Sequence, residues 1–312
     1  MDPLSALLDA PRARDAFVLR VSMAPPWAIR VQDLAALTAV AMARGSSVWE
    51  RDGERFALGT GDVVLLTGPT PYTVGDEVGR APFAIIQPGN RPETPDGRPL
   101  SVPLTQGVRR WGNSADGPDE MLVGNYGEVG EAGQRLLSTL PPTVVLRADE
   151  WHSPIVPLLL EEMAREGVGQ ASLLDRLLDA LVVSAVRHWA VTRGDTAPAW
   201  LAAATDPVVA ELLTLMHDRP GEPWSLVSLA REVGVSRAAL ARRFRERVGE
   251  PPMAYLTSWR MALAADRLRG GTDTLARIAA GVGYPSPFSF STAFKRAYGV
   301  SPSAYRSLGS EA

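Results

Sequence analysis

The chain has 312 residues, which is enough for two domains with apolar cores of their own. Its formal net charge is −3, and it contains no cysteine, so disulfides, thiolate chemistry and cysteine-bound zinc are excluded. The N-terminus lacks the basic and apolar run of a signal peptide, and no apolar stretch approaches the roughly 20 residues that a membrane span needs. We therefore expect a soluble, cytoplasmic protein that has no membrane partner.

The charge is divided unevenly along the chain. Residues 201–312 hold 14 arginine and lysine residues against 10 acidic residues, a net charge of +4, whereas residues 1–200 hold 18 against 25, a net charge of −7. A basic segment attached to an acidic body suits contact with phosphate groups at one end of the chain. Because a charge of +4 is common on ordinary surfaces, this division only supports stronger signals.

The N-terminal half has the pattern of a β-sheet protein. Residues 1–10 predict a short amphipathic helix, and short β-type runs separated by turn residues follow as far as residue 146. The predicted strands are residues 17–21, 37–42, 62–66, 83–86 and 143–146, with turns at residues 51–54, 59–61 and 94–97. Many short strands at this spacing predict a sandwich or a barrel.

The segment at residues 61–72 resembles the strand-and-turn segment of cupin barrels, but the metal ligands of that family are missing. Tyr72 stands where metal-binding cupins often have a histidine, and no paired His-x-His occurs. The three histidines, His152, His188 and His217, all follow the predicted barrel and are well separated. Because metal ligands must converge on one point, we expect no metal and no other cofactor, and histidines that are structural or exposed.

Catalysis is the main alternative in kind, since a cupin barrel can be an oxygenase or an isomerase. The chain has no Gly-x-Ser-x-Gly nucleophile motif, and it has no P-loop, since its only lysine is Lys295. We therefore predict that the protein is not an enzyme and has no catalytic residues.

Helical periodicity begins near residue 153. One helix is predicted at residues 154–166, ended by Gly-Val-Gly, and Ser172 is expected to cap a second helix. The apolar stripe of this second helix consists of Leu173, Leu174, Leu177, Leu178, Leu181, Val182, Ala185 and Trp189. The stripe fits packing on the barrel and a subunit interface within residues 172–193 equally well. Residues 195–198 indicate a linker, and a further helix is predicted at residues 206–218.

The last hundred residues contain the same helical unit twice. Residues 229–255 and residues 278–305 share their pattern at an offset of 49 up to the turn glycine and of 50 from the next serine onward, because Pro285 adds one residue. Each copy is typical of a helix-turn-helix, and two such units can place two recognition helices in successive segments of the major groove. The repeat predicts sequence-specific DNA binding.

In the first unit, Ser225 and Ser236 are expected to cap the two helices, and Gly234 is expected to form the turn between them. The inner face of the recognition helix is predicted to be Leu240, Phe244 and Val248. The candidate DNA-binding residues of this unit are Arg237, Ala238, Ala241, Arg242 and Arg245. Arg242 is the leading candidate for reading bases, because a guanidinium group can bind guanine O6 and N7 together. The alternative for Arg237, Arg243, Arg245 and Arg247 is that they face phosphate groups or solvent.

A long apolar helix, at about residues 253–268, is predicted to be buried by both units and to fix their orientation. In the second unit Thr274 starts the first helix, Ser286 caps the recognition helix and Pro287 takes its first position. The candidate DNA-binding residues of this unit are Ser286, Phe288, Ser289, Thr292, Lys295 and Arg296. No long polar side chain precedes Lys295, so we expect this helix to specify sequence weakly.

Residues 278–286, 290–296 and 301–306 resemble the signature of AraC/XylS-type transcriptional regulators, and the resemblance covers about residues 205–306. Residues 25–30 and 61–64 are similar to the cupin-type regulatory domain of one branch of that family. The resemblance implies promoter DNA as the main partner, with a small-molecule effector, a second copy of the chain and RNA polymerase as further candidates. Two departures stand out: Thr292 replaces the usual basic residue of the second unit, and the cysteine that some relatives use to sense oxidants is absent.

The sequence thus predicts an α+β protein. A cupin-like β-barrel with a sensing role is expected at residues 1–150, and residues 151–204 are expected to form connecting helices that are also candidates for dimerisation. An all-α DNA-binding domain with two helix-turn-helix units is expected at residues 205–312. The alternative is that the barrel only mediates dimerisation and senses no small molecule.

Overall fold

The structure is a computed structural model that describes residues 17–100, 104, 109–127, 129–165, 167–193 and 206–308. The chain divides into two compact units. The first contains the described residues up to Val129 together with Leu137–Trp189, and the second contains Gly130–Leu136 and the described residues from 190 onward. The helix predicted at residues 1–10 and the linker predicted at residues 195–198 lie outside the described residues.

The first unit is built from two six-stranded sheets. Their strand orders are β10-β1-β11-β3-β6-β12 and β5-β4-β7-β2-β8-β9. The strands are β1 (Phe17–Met23), β2 (Ala28–Val31), β3 (Leu37–Arg44), β4 (Ser46–Arg51), β5 (Glu54–Gly59), β6 (Val63–Thr67), β7 (Tyr72–Gly75), β8 (Ala84–Gln87), β9 (Arg91–Glu93), β10 (Arg110–Trp111), β11 (Asp119–Tyr126) and β12 (Thr143–Leu146). All five predicted strands are present, and the predicted β-sheet domain is confirmed.

The core of this unit lies between the sheets. Alternate residues of each strand face inward, so that Val21 of β1 lies opposite Met121 of β11, and Trp49 of β4 lies opposite Val74 of β7. These four side chains are buried. The predicted turn between β4 and β5 is confirmed, because Asp52 and Gly53 both have positive φ, at 50° and 80°, as a two-residue hairpin turn requires.

Two helices follow the strands, and both differ from the prediction at their ends. Helix α2 covers Ile155–Met163 rather than residues 154–166, and α3 covers Gln170–Arg193; α1 (Glu131–Leu137) belongs to the second unit. The prediction that Ser172 caps α3 is wrong. Gly169, with φ of 82°, makes the turn instead, and the N–H of Leu173 donates to the Gly169 carbonyl at 3.0 Å. Ser172 therefore lies inside the first helical turn.

The leucine stripe of α3 packs on its own unit. Leu174, Leu178 and Leu181 are at most 2% exposed. A Cβ atom at Gly124 of β11 would lie only 2.3 Å from Cδ1 of Leu178, so this glycine lets the helix approach the strand. Core packing therefore accounts for the buried side of the stripe, while Leu173 remains 46% exposed.

The second unit is helical. Its remaining helices are α4 (Pro207–Asp218), α5 (Leu226–Glu232), α6 (Arg237–Val248), α7 (Pro252–Gly270), α8 (Leu275–Gly281), α9 (Pro287–Tyr298) and α10 (Pro302–Leu308). The predicted N-caps are confirmed, because the side chains of Ser225, Ser236, Thr274 and Ser286 each accept a hydrogen bond from a backbone N–H of the first turn. The long helix is also confirmed. Tyr255 of α7 belongs to the core of the first helix-turn-helix and Leu268 to that of the second.

Candidate functional site

The two predicted recognition helices, α6 and α9, are built alike. Both have 12 residues and both end at a glycine with positive φ, Gly249 or Gly299. Their inner faces are anchored by Leu240 and Phe244 in α6 and by two phenylalanines fifty positions later in α9, all of them fully buried. The structure therefore confirms that the sequence repeat is a repeat of two helix-turn-helix units.

The outer face of α6 carries the candidate residues predicted from sequence. Arg237, Ala238, Arg242 and Arg245 are exposed, and Ala241 is half-buried between them. Residues at positions 238, 241, 242 and 245 follow the spacing of one helix face, so they can approach a groove together. The small alanines leave space between the arginine side chains.

Sequence reasoning missed the partner of Arg242. Its Nη1 atom lies 3.2 Å from Oε1 of Glu246, one turn further along α6, and both side chains are more than half exposed. An exposed i,i+4 ion pair contributes only about 0.3–0.5 kcal/mol. Arg242 can therefore leave Glu246 at little cost when a stronger acceptor is offered.

The outer face of α9 has different chemistry. Phe288 is 82% exposed, and Lys295 and Arg296 are exposed at the end of the helix. Three hydroxyl groups form hydrogen bonds within the helix itself. The Ser286 hydroxyl accepts from the N–H of Ser289. The Ser289 hydroxyl donates to the Ser286 carbonyl at 3.0 Å, and the Thr292 hydroxyl donates to the Phe288 carbonyl at 3.0 Å. The protruding groups of this helix are thus one aromatic ring and two cations.

Helix α1 is a second feature that sequence reasoning did not find. It comes between β11 and β12 in the chain, yet it clusters with the helices of the second unit. The backbone N–H of Glu131 donates to Oδ1 of Asp266 at 2.7 Å, and Oε1 of Glu131 lies 3.2 Å from Nη2 of Arg269. Both partners belong to α7. The sequence of these seven residues does not indicate that they contact a helix more than a hundred residues away.

The first unit contains a cavity of about 270 Å³ between its sheets. Its wall is mostly apolar and includes the aromatic rings of Trp49, Tyr72 and Trp111. The indole N–H of Trp111 is buried and has no hydrogen-bond partner among the described residues. A buried N–H group without an acceptor costs free energy that a hydrogen bond would recover.

Polar groups are gathered at one end of this cavity. Nδ2 of Asn125 donates to Oδ2 of Asp33 at 2.8 Å and to Oδ1 of Asn90 at 3.3 Å, and the N–H of Ala35 donates to Oδ1 of Asp33 at 3.1 Å. Oδ1 of Asn125 is buried and has no partner among the described residues. Burial raises the pKa of Asp33 although the N–H of Ala35 opposes the change. This end of the cavity is therefore rich in hydrogen-bond acceptors.

No metal centre is assembled in the part of the chain that the structure describes, where no three His, Asp or Glu side chains are grouped to hold an ion. Tyr72, at the position where a histidine would be a ligand, is buried, and its ring lies 5.3 Å from that of Trp49. Burial is also the main reason why the pKa of Tyr72 is raised, so the ring is a neutral part of the cavity wall. None of the described helices is long and apolar enough to span a membrane.

Comparisons with known proteins agree with a division into an N-terminal cupin part and a C-terminal helix-turn-helix part. A family model described as a cupin matches residues 2–191, and one described as a helix-turn-helix domain matches residues 229–307. A protein of Streptomyces lividans, named as an AraC-like transcription regulator, is 34% identical over 98% of both chains. The chain belongs to the AraC-like transcription regulators.

The relatives of this AraC-like regulator include a similarly named protein of Streptomyces antibioticus, which is 32% identical over 98% of both chains. A solved AraC-type DNA-binding protein from Chromobacterium violaceum is 28% identical; the match covers 35% of this chain and 97% of that one, with a TM-score of 0.32. The AraC-like regulator is thus a DNA-binding transcriptional regulator with an N-terminal cupin domain and a C-terminal helix-turn-helix domain.

Proposed function

We propose that this regulator binds promoter DNA through both of its helix-turn-helix units and that a small molecule in the barrel cavity modulates this binding. The observation that carries the DNA-binding proposal is the matched pair α6 and α9, two exposed helix faces fifty residues apart whose cores share α7. A helix of this length fits the major groove, and successive segments on one DNA face are roughly 34 Å apart. The two half-sites should therefore be about one helical turn apart.

Helix α6 is proposed to read bases. Arg242 is the residue best placed to bind a guanine edge, since the neighbouring Ala238 and Ala241 allow close approach and offer methyl groups to thymine. Arg237 and Arg245 lie at the two ends of the same exposed face, and they are proposed to bind phosphate groups and set the register.

Helix α9 is proposed to bind DNA with less sequence preference. The Ser289 and Thr292 hydroxyl groups donate to carbonyls of the helix backbone, and the Ser286 hydroxyl donates to Oγ of Ser289, which leaves few donors for base edges. Phe288 offers an apolar ring that suits a thymine methyl group, and Lys295 and Arg296 offer charges that suit phosphate groups. The division of roles follows from these side chains.

The proposal for an effector rests on the cavity between the sheets. An apolar wall with a few polar groups at one end is the usual construction of a small-molecule site. We further propose that the protein has no catalytic activity, since the relatives named above are transcription regulators.

A homodimer and contact with RNA polymerase at the promoter belong to the same proposal. Within the barrel unit, Leu158 of α2 and Leu173 of α3 are 49% and 46% exposed and offer an apolar surface to a second copy. Because Leu181 is 2% exposed in the core of its own unit, a charge at that position would unfold the protein and would not test an interface. Leu158→Glu with Leu173→Glu is the informative pair, and it should give a folded monomer by sedimentation.

The experiment that tests DNA binding is selection of bound sequences from a random pool, followed by gel-shift titration of full-length protein. Arg242→Ala should relax base preference in one half-site. Arg55→Ala is the matched control, because Arg55 is an equally exposed arginine that pairs with Glu50 on a hairpin of the barrel unit. Failure of the full chain to retard any selected sequence at low salt would contradict the proposal, and so would equal effects of the two variants.

A further inference from the structure

We propose that the barrel cavity selects a small, mainly apolar molecule that carries a hydrogen-bond donor, preferentially an ammonium group, at one end. This inference rests on the proposed effector function of the cavity and names the chemical class of the effector. It is carried by the size of the cavity, by the set of oxygen atoms at its polar end, and by the buried indole N–H of Trp111.

The size of the cavity limits the molecule. A cavity of about 150 Å³ binds benzene, which has six non-hydrogen atoms, so a volume of about 270 Å³ accommodates roughly ten. Branched aliphatic and aromatic side chains form most of the wall, among them Val40, Val74 and Val123. An unbranched or cyclic hydrocarbon of about eight carbons would release water from this wall without leaving a polar group of its own unpaired.

The polar end presents oxygen atoms. The two amide hydrogens of Asn125 are directed to Asp33 and Asn90, and this fixes the orientation of the amide. Its remaining atom, Oδ1, is a buried acceptor without a partner among the described residues. Together with the carboxylate of Asp33, it offers acceptors to an N–H or O–H group.

Charge favours an ammonium group over a hydroxyl group at this position. The Asp33 carboxylate accepts hydrogen bonds from two neutral donors, the N–H of Ala35 and the amide of Asn125, and burial raises its pKa. A bound cation would stabilise the negative charge of this carboxylate against the cost of burial. Tyr72 lines the same cavity, and the negative charge of Asp33 adds to burial in raising the pKa of Tyr72. A charge-assisted hydrogen bond is roughly twice as strong as a neutral one.

Two arginines also border the cavity, and their positions explain why they do not reverse this preference. Nη1 of Arg109 lies 3.9 Å from Oδ1 of Asp175 in α3, so the two charges attract each other without a hydrogen bond between these atoms. Arg110 is exposed to solvent. Among the described residues that line the cavity, Asp33 is the acid, and it stands at the acceptor-rich end.

The opposite part of the cavity offers a donor. Trp111 of β10 lies beside Val21 of β1, which is paired with Met121 of β11, whereas Asn125 is four residues further along β11. At about 3.4 Å per residue, the two polar positions are separated by roughly 14 Å of strand. An ether or carbonyl oxygen at the far end of the ligand would satisfy the Trp111 N–H, and the ammonium group would remain at Asp33.

The test uses the full-length protein and three probes with the same eight-carbon body: octylamine, 1-octanol and octanoate. Binding is followed by tryptophan fluorescence, because Trp49 and Trp111 line the cavity, and by the shift in melting temperature. Octylamine should bind about tenfold more tightly than octanoate, with octanol between them. Octanoate binding as tightly as octylamine would overturn the inference, and so would a protein that binds none of the three.

Two variants and one control locate the site. Asp33→Asn removes the charge and replaces one acceptor oxygen with an amide N–H donor; it should weaken octylamine by about tenfold and octanol by less than about threefold. Val123→Phe should abolish binding of all three probes by filling the cavity, and circular dichroism establishes that it is folded. Asp96→Asn removes an exposed acid of the 94–97 turn that does not line the cavity, and it should leave every affinity unchanged. An unchanged octylamine affinity in Asp33→Asn would overturn the inference.

The same preparations separate this inference from the proposed function. If the protein retards DNA but shows no preference for the amine, the assigned ligand class is wrong and the DNA-binding proposal stands. If octylamine binds as expected but leaves DNA affinity unchanged, the class of ligand stands and the proposed modulation fails.

Discussion

The hydroxyl group of Tyr305 donates a hydrogen bond to Oε1 of Glu131 at 2.8 Å, across 174 residues of sequence. Arg269 completes the cluster, with its guanidinium 4.7 Å from the centre of the Tyr305 ring. Burial and the hydrogen bond to the Glu131 carboxylate raise the pKa of Tyr305, so its hydroxyl remains a donor at neutral pH. A residue that precedes β12 in the chain thereby stabilises helices of the DNA-binding unit.

This cluster predicts a loss of stability in Tyr305→Phe. Removal of the hydroxyl leaves the Glu131 carboxylate with one donor fewer, and we expect a loss of about 1 kcal/mol in the free energy of unfolding, measured by urea denaturation. Tyr298→Phe is the control, because the Tyr298 hydroxyl has no hydrogen bond to any described residue. Equal losses in the two variants would show that the effect does not depend on the bond to Glu131.

The ion pair between Arg242 and Glu246 predicts that loss of the acidic partner strengthens DNA binding. Glu246→Gln should strengthen binding to all sequences by roughly two- to fivefold, because it releases Arg242 and removes a negative charge from the outer face of α6. Gel-shift titrations at several salt concentrations measure this. Glu161→Gln is a fitting control, since Glu161 forms an exposed i,i+4 pair with Arg165 in the other unit. A weakened complex would instead mean that Glu246 itself contacts a base.

Lys295 and Phe288, on the outer face of α9, should affect DNA binding in different ways. Lys295→Ala should weaken all sequences alike and reduce the slope of the salt dependence by about one unit, as expected for a single phosphate contact. Phe288→Ala should leave that slope unchanged and lower the preference for thymine at one position, because the ring is apolar and 82% exposed. Base-by-base substitution across the operator distinguishes the two effects. Equally sharp preferences at both half-sites would contradict the weak specificity expected of α9.

His217 predicts a pH dependence of stability. Its ring is buried, Nε2 lies 2.7 Å from the Tyr255 hydroxyl, and burial lowers the pKa of His217 from 6.5 to about 4. Between these values the unfolded chain binds a proton that the folded chain excludes. Stability is therefore complete above about pH 6.5 and falls as the pH drops to about 4, by up to about 3 kcal/mol.

The measurement is urea denaturation between pH 4 and pH 7. In His217→Gln, which keeps a hydrogen-bonding side chain but cannot titrate, the part of the pH dependence due to this group should disappear. In His152→Gln, which replaces an exposed histidine, the pH dependence due to His217 should remain. The same slope in the parent and in His217→Gln would contradict the assignment.

The second unit was largely predictable from sequence because its signals are local. A serine that caps a helix acts on an N–H two or three residues away, and a turn glycine such as Gly234, with φ of 67°, acts through its own backbone. The repeat then tested each assignment twice, since α6 and α9 bury the same positions fifty residues apart. Family membership follows from the same residues.

The tertiary structure alone decided the features that depend on distant partners. Strand pairing places Asn125 beside Asp33 and Asn90, three residues spread over more than ninety positions, and so creates the polar end of the cavity. Packing against α7 and α10 assigns Glu131 to the DNA-binding unit although it lies between two strands of the chain. Periodicity and capping report on neighbours within about four residues, so only the register of the folded sheets and the packing of the helices could bring these groups together.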